Sequence, residues 1–247
     1  MNKQKLLLWI ICGLFSVDIK SQQSFENEVD STIHLNEVMV NAYQINTLQH
    51  QIPGSISVLS GEEIQKADGN NFANTLHSMP GIYMHSGTYA TSRIVIRGVG
   101  SRTPYNTNRI KSYLNDIPIS SSDGISSPED IDLTGIGRIE VIKGPASALY
   151  GSGLGGNIHL FTPVSTHQGV DALLQFESFN TLKVAAAGNY HQENFTLFGN
   201  LAHLESDGFR ENNQYKRSSL LSSGTWRQPN FSLEYILLLM DIYAQIP

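Results

Sequence analysis

The stretch RIEVIKGPASALYGSGLGGNI, residues 138–158, decides the local fold in the middle of this chain. Its opening residues alternate charged and apolar side chains, which predicts a strand over 137–142. Pro145 suits the first position of a helix, where its missing N–H costs nothing, and Gly151 suits the end of that helix. The apolar residues that follow predict a second strand over 157–161. The passage therefore predicts a strand, a short helix, a tight turn and a strand.

The glycines of this passage also match the spacing G-x-G-x-x-G over 151–156. A dinucleotide site needs a strand before these glycines and a helix after them, so that the helix N-terminus faces the pyrophosphate. Here the predicted order is the reverse. The glycines are therefore interpreted as a tight helix-to-strand turn, and no nucleotide cofactor is expected.

The residues before this passage alternate short strands with short helices. Ser60 and Glu63 have the spacing of a capping box, which predicts a helix over 61–66. A second helix is expected near 71–78, because it must stop before Pro80. Together these signals predict an α+β domain over residues 52–163, with a mixed β-sheet and short helices.

The pattern changes after about residue 166, where helix signals give way to alternation. In 182–191 and 231–237 one face is mainly apolar and the other carries polar residues. Runs of about ten such residues suit the strands of a transmembrane β-barrel, although a soluble β-sandwich alternates too. Aromatic residues near the run ends are candidates for the membrane–water interface. They are Phe176, Tyr190, Phe209, Tyr215 and Trp226.

Composition excludes several classes of function. The formal charge is −6 and only 15% of residues are charged, which disfavours nucleic-acid binding. The single cysteine, Cys12, excludes a disulfide framework, and the eight histidines lack the spacing of a helical zinc pair. No Ser, His and Asp can be assigned as a triad. The sequence thus predicts a protein that is not an enzyme and has no metal site.

The N-terminus has the order of a secretory signal. Lys3 and Lys5 precede the mainly apolar run 6–15, and small residues follow at Ser16 and Ser21. We expect a signal peptide over 1–21, with cleavage after Ser21 or Ser16. The polar segment that follows suggests a flexible leader, and no apolar stretch is long enough for a membrane-spanning helix.

Three segments together resemble the TonB-dependent outer-membrane receptors. Residues 35–42, LNEVMVNA, look like the family's energy-coupling box within a leader over 22–51. Residues 94–100, IVIRGVG, look like an internal segment of the plug domain, and 138–158 look like the plug's signature end. The resemblance implies that 52–163 is the plug.

The same resemblance implies that residues 167–247 begin a transmembrane β-barrel. Family barrels have about 22 strands, whereas 168–247 suffice for only four or five strands of about ten residues. We therefore expect an incomplete barrel, in the N-terminal part of a longer receptor.

The resemblance also implies roles for individual residues. The box residues that would meet a TonB-type energy transducer are Leu35, Glu37, Val38, Met39 and Val40. Matching residues in family plugs form ion pairs with the barrel wall, and here they are Arg97, Arg138 and Glu140, with exposed strand charge as the alternative. The loops His85–Thr91 and Gly100–Asn108 would face the ligand, and their candidate contacts are Tyr89, Arg102, Tyr105 and Arg109.

The function implied is active uptake of a scarce solute across the outer membrane, with a ferric siderophore or other iron chelate as the leading candidate. The plug and N-terminus would face the periplasm, and the barrel would contact outer-membrane lipid. Arg102 and Arg109 would suit an anionic chelate, while the tyrosines would stack on a flat ligand. Three alternatives stay open: cobalamin import, glycan or peptide import, and a truncated remnant or free plug that acts as a binding module.

Overall fold

A computed structural model describes residues 39–41, 47–52, 54–67, 69–151, 153–164 and 168–245. The predicted signal peptide lies outside these residues, as do the box residues Leu35, Glu37 and Val38. No helix among the described residues is both long enough and apolar enough to cross a membrane.

The first half of the described chain is an α+β unit. Its strands are β1 (Met39–Val40), β2 (Thr47–Leu48), β3 (Ile56–Ser60), β4 (Ile82–Thr88), β5 (Thr91–Ile96), β6 (Ile110–Leu114), β7 (Ile117–Pro118), β8 (Arg138–Lys143) and β9 (Gly156–Phe161). Its α-helices are α1 (Gly61–Lys66), α2 (Phe72–His77) and α3 (Ser147–Tyr150), and 3-10 turns occupy Gln49–Gln51, Pro128–Asp130 and Leu133–Gly135.

The unit is built on a sheet of order β3-β8-β9-β6-β7, called here the mixed sheet. Strands β6 and β9 run parallel, and the other neighbours are antiparallel. The central strands β8 and β9 are buried along most of their length, and their buried positions include the polar residues Glu140, Asn157 and His159 as well as apolar ones. Strands β4 and β5 form a separate hairpin whose inward residues join the same core. The predicted mixed sheet with short helices is confirmed.

The glycine-rich passage forms the predicted helix-to-strand turn. Helix α3 begins at Ser147 with Ala146 as its N-cap, so Pro145 lies before the helix and not at its first position. Gly151 ends the helix with φ +66°, and Gly156 has φ +141°. A Cβ on Gly156 would lie 2.4 Å from the carbonyl oxygen of Ile142 on β8. Only glycine lets β9 start this close to its neighbour.

The expected loop over His85–Thr91 is wrong, because most of it is strand. Strands β4 and β5 continue to Thr88 and from Thr91, and only two residues connect them. The Thr88 hydroxyl accepts hydrogen bonds from the N–H groups of Ala90 at 3.2 Å and Thr91 at 3.1 Å. A threonine that closes the turn in this way shortens the loop.

The second half is a five-stranded antiparallel sheet, called here the long sheet. Its strands are β10 (Gly169–Glu177), β11 (Thr181–Gln192), β12 (Phe195–Ser206), β13 (Tyr215–Gln228) and β14 (Phe231–Ala244). They pair in chain order, and among the described residues β10 and β14 are open edges, so the sheet does not close. The predicted antiparallel strands and the incomplete barrel are therefore confirmed.

Candidate functional site

The mixed sheet meets the inner face of the long sheet at a buried group of charges. Asp132 precedes the 3-10 turn Leu133–Gly135 and accepts a hydrogen bond from the N–H of Thr134 at 2.9 Å. Its Oδ2 lies 3.1 Å from Nζ of Lys183 on β11 and 2.6 Å from Nη2 of Arg217 on β13. The three side chains are only 2%, 0% and 5% exposed. Asp132, Lys183 and Arg217 are called here the anchor cluster.

Each member of the anchor cluster has further hydrogen bonds that help to offset its burial. Lys183 Nζ donates to the carbonyl oxygen of Gly69 at 2.8 Å. Arg217 Nη1 donates to the carbonyl oxygens of Glu129 at 3.0 Å and Asp130 at 3.3 Å. Burial alone would raise the pKa of Asp132, but the two cations outweigh it and lower that pKa. The charges are therefore paired, as buried charges must be.

Neutral contacts extend the junction between the two sheets. Asn200 Nδ2 donates to Thr134 Oγ1 at 3.0 Å, and Ser223 Oγ donates to Thr162 Oγ1 at 2.9 Å. Phe198 and Leu221 on the long sheet belong to the same hydrophobic core as the mixed sheet. The long sheet thus supplies part of the core of the α+β unit as well as its counter-ions.

Next to the anchor cluster lies a second buried carboxyl group, that of Glu129. Its Oε1 accepts hydrogen bonds from Asn106 Nδ2 at 2.8 Å and from the Ser92 hydroxyl. Burial raises the pKa of Glu129 to about 7, and the neighbouring Asp130 adds to the rise. The same residue also meets the anchor cluster through its backbone, because its carbonyl oxygen accepts from Arg217 Nη1 at 3.0 Å.

Arg138 and Glu140 lie on β8 of the mixed sheet, whereas Arg97 directly follows β5 of the hairpin. Arg97 Nη1 donates to the carbonyl oxygen of Lys143 at 3.2 Å. Arg138 Nε lies 3.0 Å from Glu140 Oε1, with the arginine side chain 35% exposed and the glutamate 1%. Among the described residues, the ion pairs that cross to the long sheet come from Asp132. The pairing of Arg97, Arg138 and Glu140 with a barrel wall stays a prediction.

The end of the predicted coupling box packs against that same Arg138–Glu140 pair. Val40 is fully buried against Ile142 and helix α3. The N–H of Asn41 donates to both carboxylate oxygens of Glu140 at 3.1 Å, and Arg138 Nη1 donates to the carbonyl oxygen of Met39 at 3.3 Å. Burial raises the pKa of Glu140 against the opposing effects of Arg138 and Asn41. This contact is called here the box dock.

The box dock lies beside a buried aromatic group. His159, on β9, is stacked on Tyr113 with 4.9 Å between ring centroids and meets Tyr150 edge-on at 4.8 Å. Burial lowers the pKa of His159 to about 4, so the ring is neutral near pH 7. In the described part of the chain, no group of three or more metal-binding side chains is placed to hold an ion.

Three of the ligand-contact candidates share one exposed loop between β5 and β6. Arg102, Tyr105 and Arg109 are exposed there. Asn106, in the same loop, holds it through Glu129 and the N–H of Ile94, which donates to Asn106 Oδ1 at 3.0 Å. The fourth candidate, Tyr89, lies outside this loop, in the β4–β5 turn.

Tyr89, in the β4–β5 turn, stacks on Tyr215 of β13 with 5.1 Å between ring centroids. Tyr215 is 3% exposed and faces inward, so its expected place at a membrane interface is wrong. The contact puts the tip of the hairpin against the long sheet. Any ligand contact of Tyr89 stays a prediction.

The outer face of the long sheet is apolar. Its exposed large apolar residues include Val170, Leu174, Val184, Leu201, Leu233, Leu237 and Leu239. The exposed Trp226 meets Phe231 edge-on across the β13–β14 turn, with 5.3 Å between ring centroids. The alternating pattern thus places Lys183 and Arg217 inside and Leu174, Leu201 and Leu233 outside. An apolar outside and a polar inside are the arrangement of a membrane barrel wall.

Sequence reasoning missed the anchor cluster and Glu129. One signal was present, because Lys183 interrupts a run of small apolar residues on the predicted polar face of β11. Nothing in the sequence indicated that its partner is Asp132, which also pairs with Arg217, 85 residues away in the chain.

The family described as "TonB-dependent Receptor Plug Domain" matches residues 49–157 of this chain. The vitamin B12 transporter BtuB of Photobacterium profundum is 34% identical over 131 residues, which are 51% of this chain and 21% of that protein. The iron-regulated outer membrane virulence protein of Vibrio cholerae is 33% identical over 136 residues, which are 54% of this chain and 21% of that protein.

A similar fold is found in the FpvA structure from P. aeruginosa bound to a pyoverdine–iron complex. Its TM-score is 0.66 at 20% identity, and the match covers 82% of this chain and 27% of that one. At this identity the likeness concerns the fold alone. The chain spans about a fifth of the length of the two curated relatives described above.

Proposed function

We propose that this chain, which belongs to the TonB-dependent receptors, serves the active uptake of a ferric iron chelate across an outer membrane. The observation that carries the proposal is the anchor cluster. It holds an α+β plug by buried charges against the inner face of a sheet whose outer face is apolar. A plug held inside a lipid-facing wall closes a route that must be opened to let a solute pass.

The exposed loop between β5 and β6 supports an anionic chelate as the solute. Arg102 and Arg109 place two permanent positive charges on this loop, and Tyr105 adds an exposed aromatic ring. Guanidinium groups bind carboxylate and catecholate oxygens through charge-assisted hydrogen bonds, and a tyrosine ring can stack on a flat chelating group.

Energy for uptake would come from a TonB-type partner that pairs with the coupling box. An extended segment such as 35–40 can add as a strand to the edge of a partner sheet, which gains backbone hydrogen bonds. Because its end is fixed in the box dock, pulling on the box would load β8 of the mixed sheet directly. This coupling would place the plug and the N-terminal segment on the periplasmic side of the outer membrane.

Cobalamin is a second candidate solute. The observation in its favour is the 34% identity to a vitamin B12 transporter over half of this chain. Both candidates are small solutes of the same transport class, so one experiment can separate them.

The test is uptake by a Gram-negative host from which the receptors for both solutes have been deleted, with this protein expressed from its own gene. Radioiron-labelled catecholate and hydroxamate siderophores and radiolabelled cyanocobalamin are offered in turn. We expect uptake of a siderophore that stops when the TonB-type transducer is deleted. Uptake of cyanocobalamin alone would favour the second candidate, and uptake that persists without the transducer would contradict the proposed mechanism.

A further inference from the structure

The side chain of Asn106 connects the exposed loop between β5 and β6 to the body of the plug. Its Nδ2 donates to Glu129 Oε1 at 2.8 Å and to the carbonyl oxygen of Ser126 at 3.3 Å. Its Oδ1 accepts from the N–H of Ile94 on β5 at 3.0 Å. Asn106 therefore uses both ends of its amide to fix the loop that carries three of the ligand-contact candidates.

Glu129 meets this loop and the long sheet through different atoms. Its carboxyl oxygen Oε1 accepts from Asn106 and from the Ser92 hydroxyl. Its backbone carbonyl oxygen accepts from Arg217 Nη1 of the anchor cluster at 3.0 Å. The backbone of Glu129 is thus fixed to the wall, and its side chain is the part in contact with the loop. A change at the carboxyl group would therefore act on the loop first.

In the part of the chain that the structure describes, the carboxyl group of Glu129 has no counter-ion, and its buried Oε2 has no hydrogen-bond partner. Strand β5 offers only the Ser92 hydroxyl, because the neighbouring Arg93 donates from Nη1 to the carbonyl oxygen of Thr103 at 3.1 Å. The charged and titratable groups of the other neighbouring elements are Asp130 and Asp132 near the same turn, Lys183 on β11, Tyr215 and Arg217 on β13, and Arg102 and Arg109 on the loop, where they are exposed.

The neutral acid is the form of Glu129 that fits this arrangement. Both cations of the anchor cluster are paired with Asp132, and the neighbouring Asp130 disfavours a second negative charge. Burial raises the pKa of Glu129 to about 7. An ionised carboxylate in this position needs water. Opening on the side of the loop breaks the hydrogen bonds of Asn106, whereas opening on the opposite side would separate the anchor cluster.

We propose that Glu129 is the positioning residue of the β5–β6 loop and acts as a proton-dependent latch, which holds the loop closed when the side chain is neutral and lets it open when the side chain ionises. The proposal rests on the proposed transport function and adds a form of regulation to it. A loop that is held closed keeps its two arginines together for an anionic solute, whereas an open loop does not.

Proton binding and loop closure should favour each other. The pKa of Glu129 is about 7 with the loop closed and would return toward 4.5 once water reaches the carboxyl group. Closure is therefore strongest at acid pH and weakens as the pH rises through 7. If the solute binds the closed loop, its affinity should fall over the same range, because the coupling between two binding events is reciprocal.

Thiol labelling of the loop tests the latch without any solute. Thr107 directly follows Asn106 and is only 8% exposed, whereas Ser101 of the same loop is exposed. Thr107→Cys and Ser101→Cys are therefore a matched pair, and the ratio of their labelling rates cancels the effect of pH on the thiol group itself. Labelling is located by mass spectrometry of the loop peptide, in the protein expressed from its own gene.

We expect the labelling ratio of Thr107→Cys to Ser101→Cys to rise at least fivefold from pH 6 to pH 8.5. Glu129→Gln cannot ionise and should keep the ratio constant, whereas Glu62→Gln, at an exposed site on α1, should show the same rise as the parent. Asn106→Ala removes the contact to the latch and should give the fast ratio at both pH values.

A rise that persists in Glu129→Gln would overturn the latch, and so would a constant ratio in the parent. Slow labelling of Asn106→Ala at pH 6 would overturn it as well. The last variant decides the question by itself if Glu129→Gln does not reach the membrane.

Binding of the radioiron siderophore that is taken up by the cells tests the link to the solute. From pH 6 to pH 8.5 its dissociation constant should rise at least threefold more in the wild type than in Glu129→Gln, a comparison in which the titration of the siderophore cancels. Equal changes in the two proteins would overturn the role of the latch in solute binding. If no siderophore is bound at all, the proposed function fails, and the labelling ratios still decide whether the latch exists.

Discussion

The anchor cluster, which joins the plug to the long sheet, and the box dock, which holds residues 39–41 against β8, both contain an arginine–carboxylate pair, but water reaches their arginines to different extents. The side chains of the anchor cluster are at most 5% exposed, whereas Arg138 in the box dock is 35% exposed. Loss of one partner from a fully buried carboxylate–cation pair leaves an uncompensated charge, whereas an arginine that reaches water, as Arg138 does, can be solvated when its carboxylate is neutralised. We infer that the box dock yields before the anchor cluster does.

The comparison has a mechanical meaning if, as proposed, a transducer pulls on the N-terminal segment. The box dock is attached to the pulled segment at residues 39–41, and the anchor cluster is attached to the wall. A force applied to the N-terminal segment would therefore load the box dock before it loads the anchor cluster. The predictions below test this order, from the largest expected effect to the smallest.

Val38→Pro should reduce uptake to background while ligand binding at the cell surface stays intact. Proline removes a backbone N–H from the segment that would pair with the transducer, so the force is never applied. The measurement is siderophore uptake beside siderophore binding at low temperature. Ser31→Pro, in the leader, is the control and should keep uptake. Equal loss of uptake and binding in Val38→Pro would contradict the coupling role of the box.

Asp132→Asn should destabilise the seated plug by about 3–5 kcal/mol, because it leaves Lys183 and Arg217 buried without a counter-ion. The measurement is the urea concentration at which the plug becomes sensitive to protease, together with entry of vancomycin into cells. Asp123→Asn is the matched control, since Asp123 lies on an exposed loop. A loss below about 1 kcal/mol in Asp132→Asn would mean that the cluster does not hold the plug.

Glu129 should make the free energy of unfolding of the plug fall as the pH rises. Its pKa is about 7 in the folded protein and about 4.5 in the unfolded chain, so the folded state binds its proton more tightly. The protonated carboxyl group makes its full contribution to the free energy of unfolding below pH 4.5. About 3 kcal/mol of that free energy is lost as the pH rises through 7.

The measurement for this prediction is the urea midpoint between pH 5 and pH 8. Glu129→Gln keeps the shape and the oxygen that Asn106 contacts but cannot ionise, so its midpoint should lose this pH dependence. Glu62→Gln, at an exposed site on α1, should retain the wild-type profile. A Glu129→Gln profile that still falls toward pH 8 would assign the dependence to other groups.

Glu140→Gln should loosen the box dock by only about 0.5–1 kcal/mol, because the pair with Arg138 is partly solvated. The amide oxygen can still accept from the N–H of Asn41. The fraction of open dock is measured by thiol labelling of Val40→Cys, which is fully buried when docked. We expect labelling about two to five times faster in the Glu140→Gln background. A labelling rate raised by a factor that corresponds to about 3–5 kcal/mol, the loss expected for Asp132→Asn, would remove the difference between the two contacts.

Much of the α+β unit could be predicted because its signals are local. Ser60 and Glu63 form the expected capping box, with the N–H of Ser60 donating to Glu63 Oε2 at 2.8 Å. Helix α2 ends before Pro80, and Gly151 takes the positive φ expected at the end of a helix. Each of these features depends on side chains a few residues apart. The first position of α3 was misplaced by two residues, as helix ends often are.

The anchor cluster could not be predicted because its partners are brought together by the fold. Alternation indicated which face of β11 holds Lys183, but not that a turn of the mixed sheet delivers Asp132 to it. Tyr215 was misassigned for the same reason. An aromatic residue at the end of a strand suits a membrane interface on sequence grounds alone. Only the fold shows that Tyr215 stacks on Tyr89 on the inner face of the sheet.

Trp226 gives this protein an intrinsic optical reporter. The chain has two tryptophans, and the other is Trp9, within the predicted signal peptide. Among residues 22–247 the only indole is therefore that of Trp226, on the outer face beside Phe231. Transfer of that indole from water to the headgroup region of a bilayer would shift its emission to the blue, so a fragment of residues 22–247 would report contact of this face with lipid without a dye.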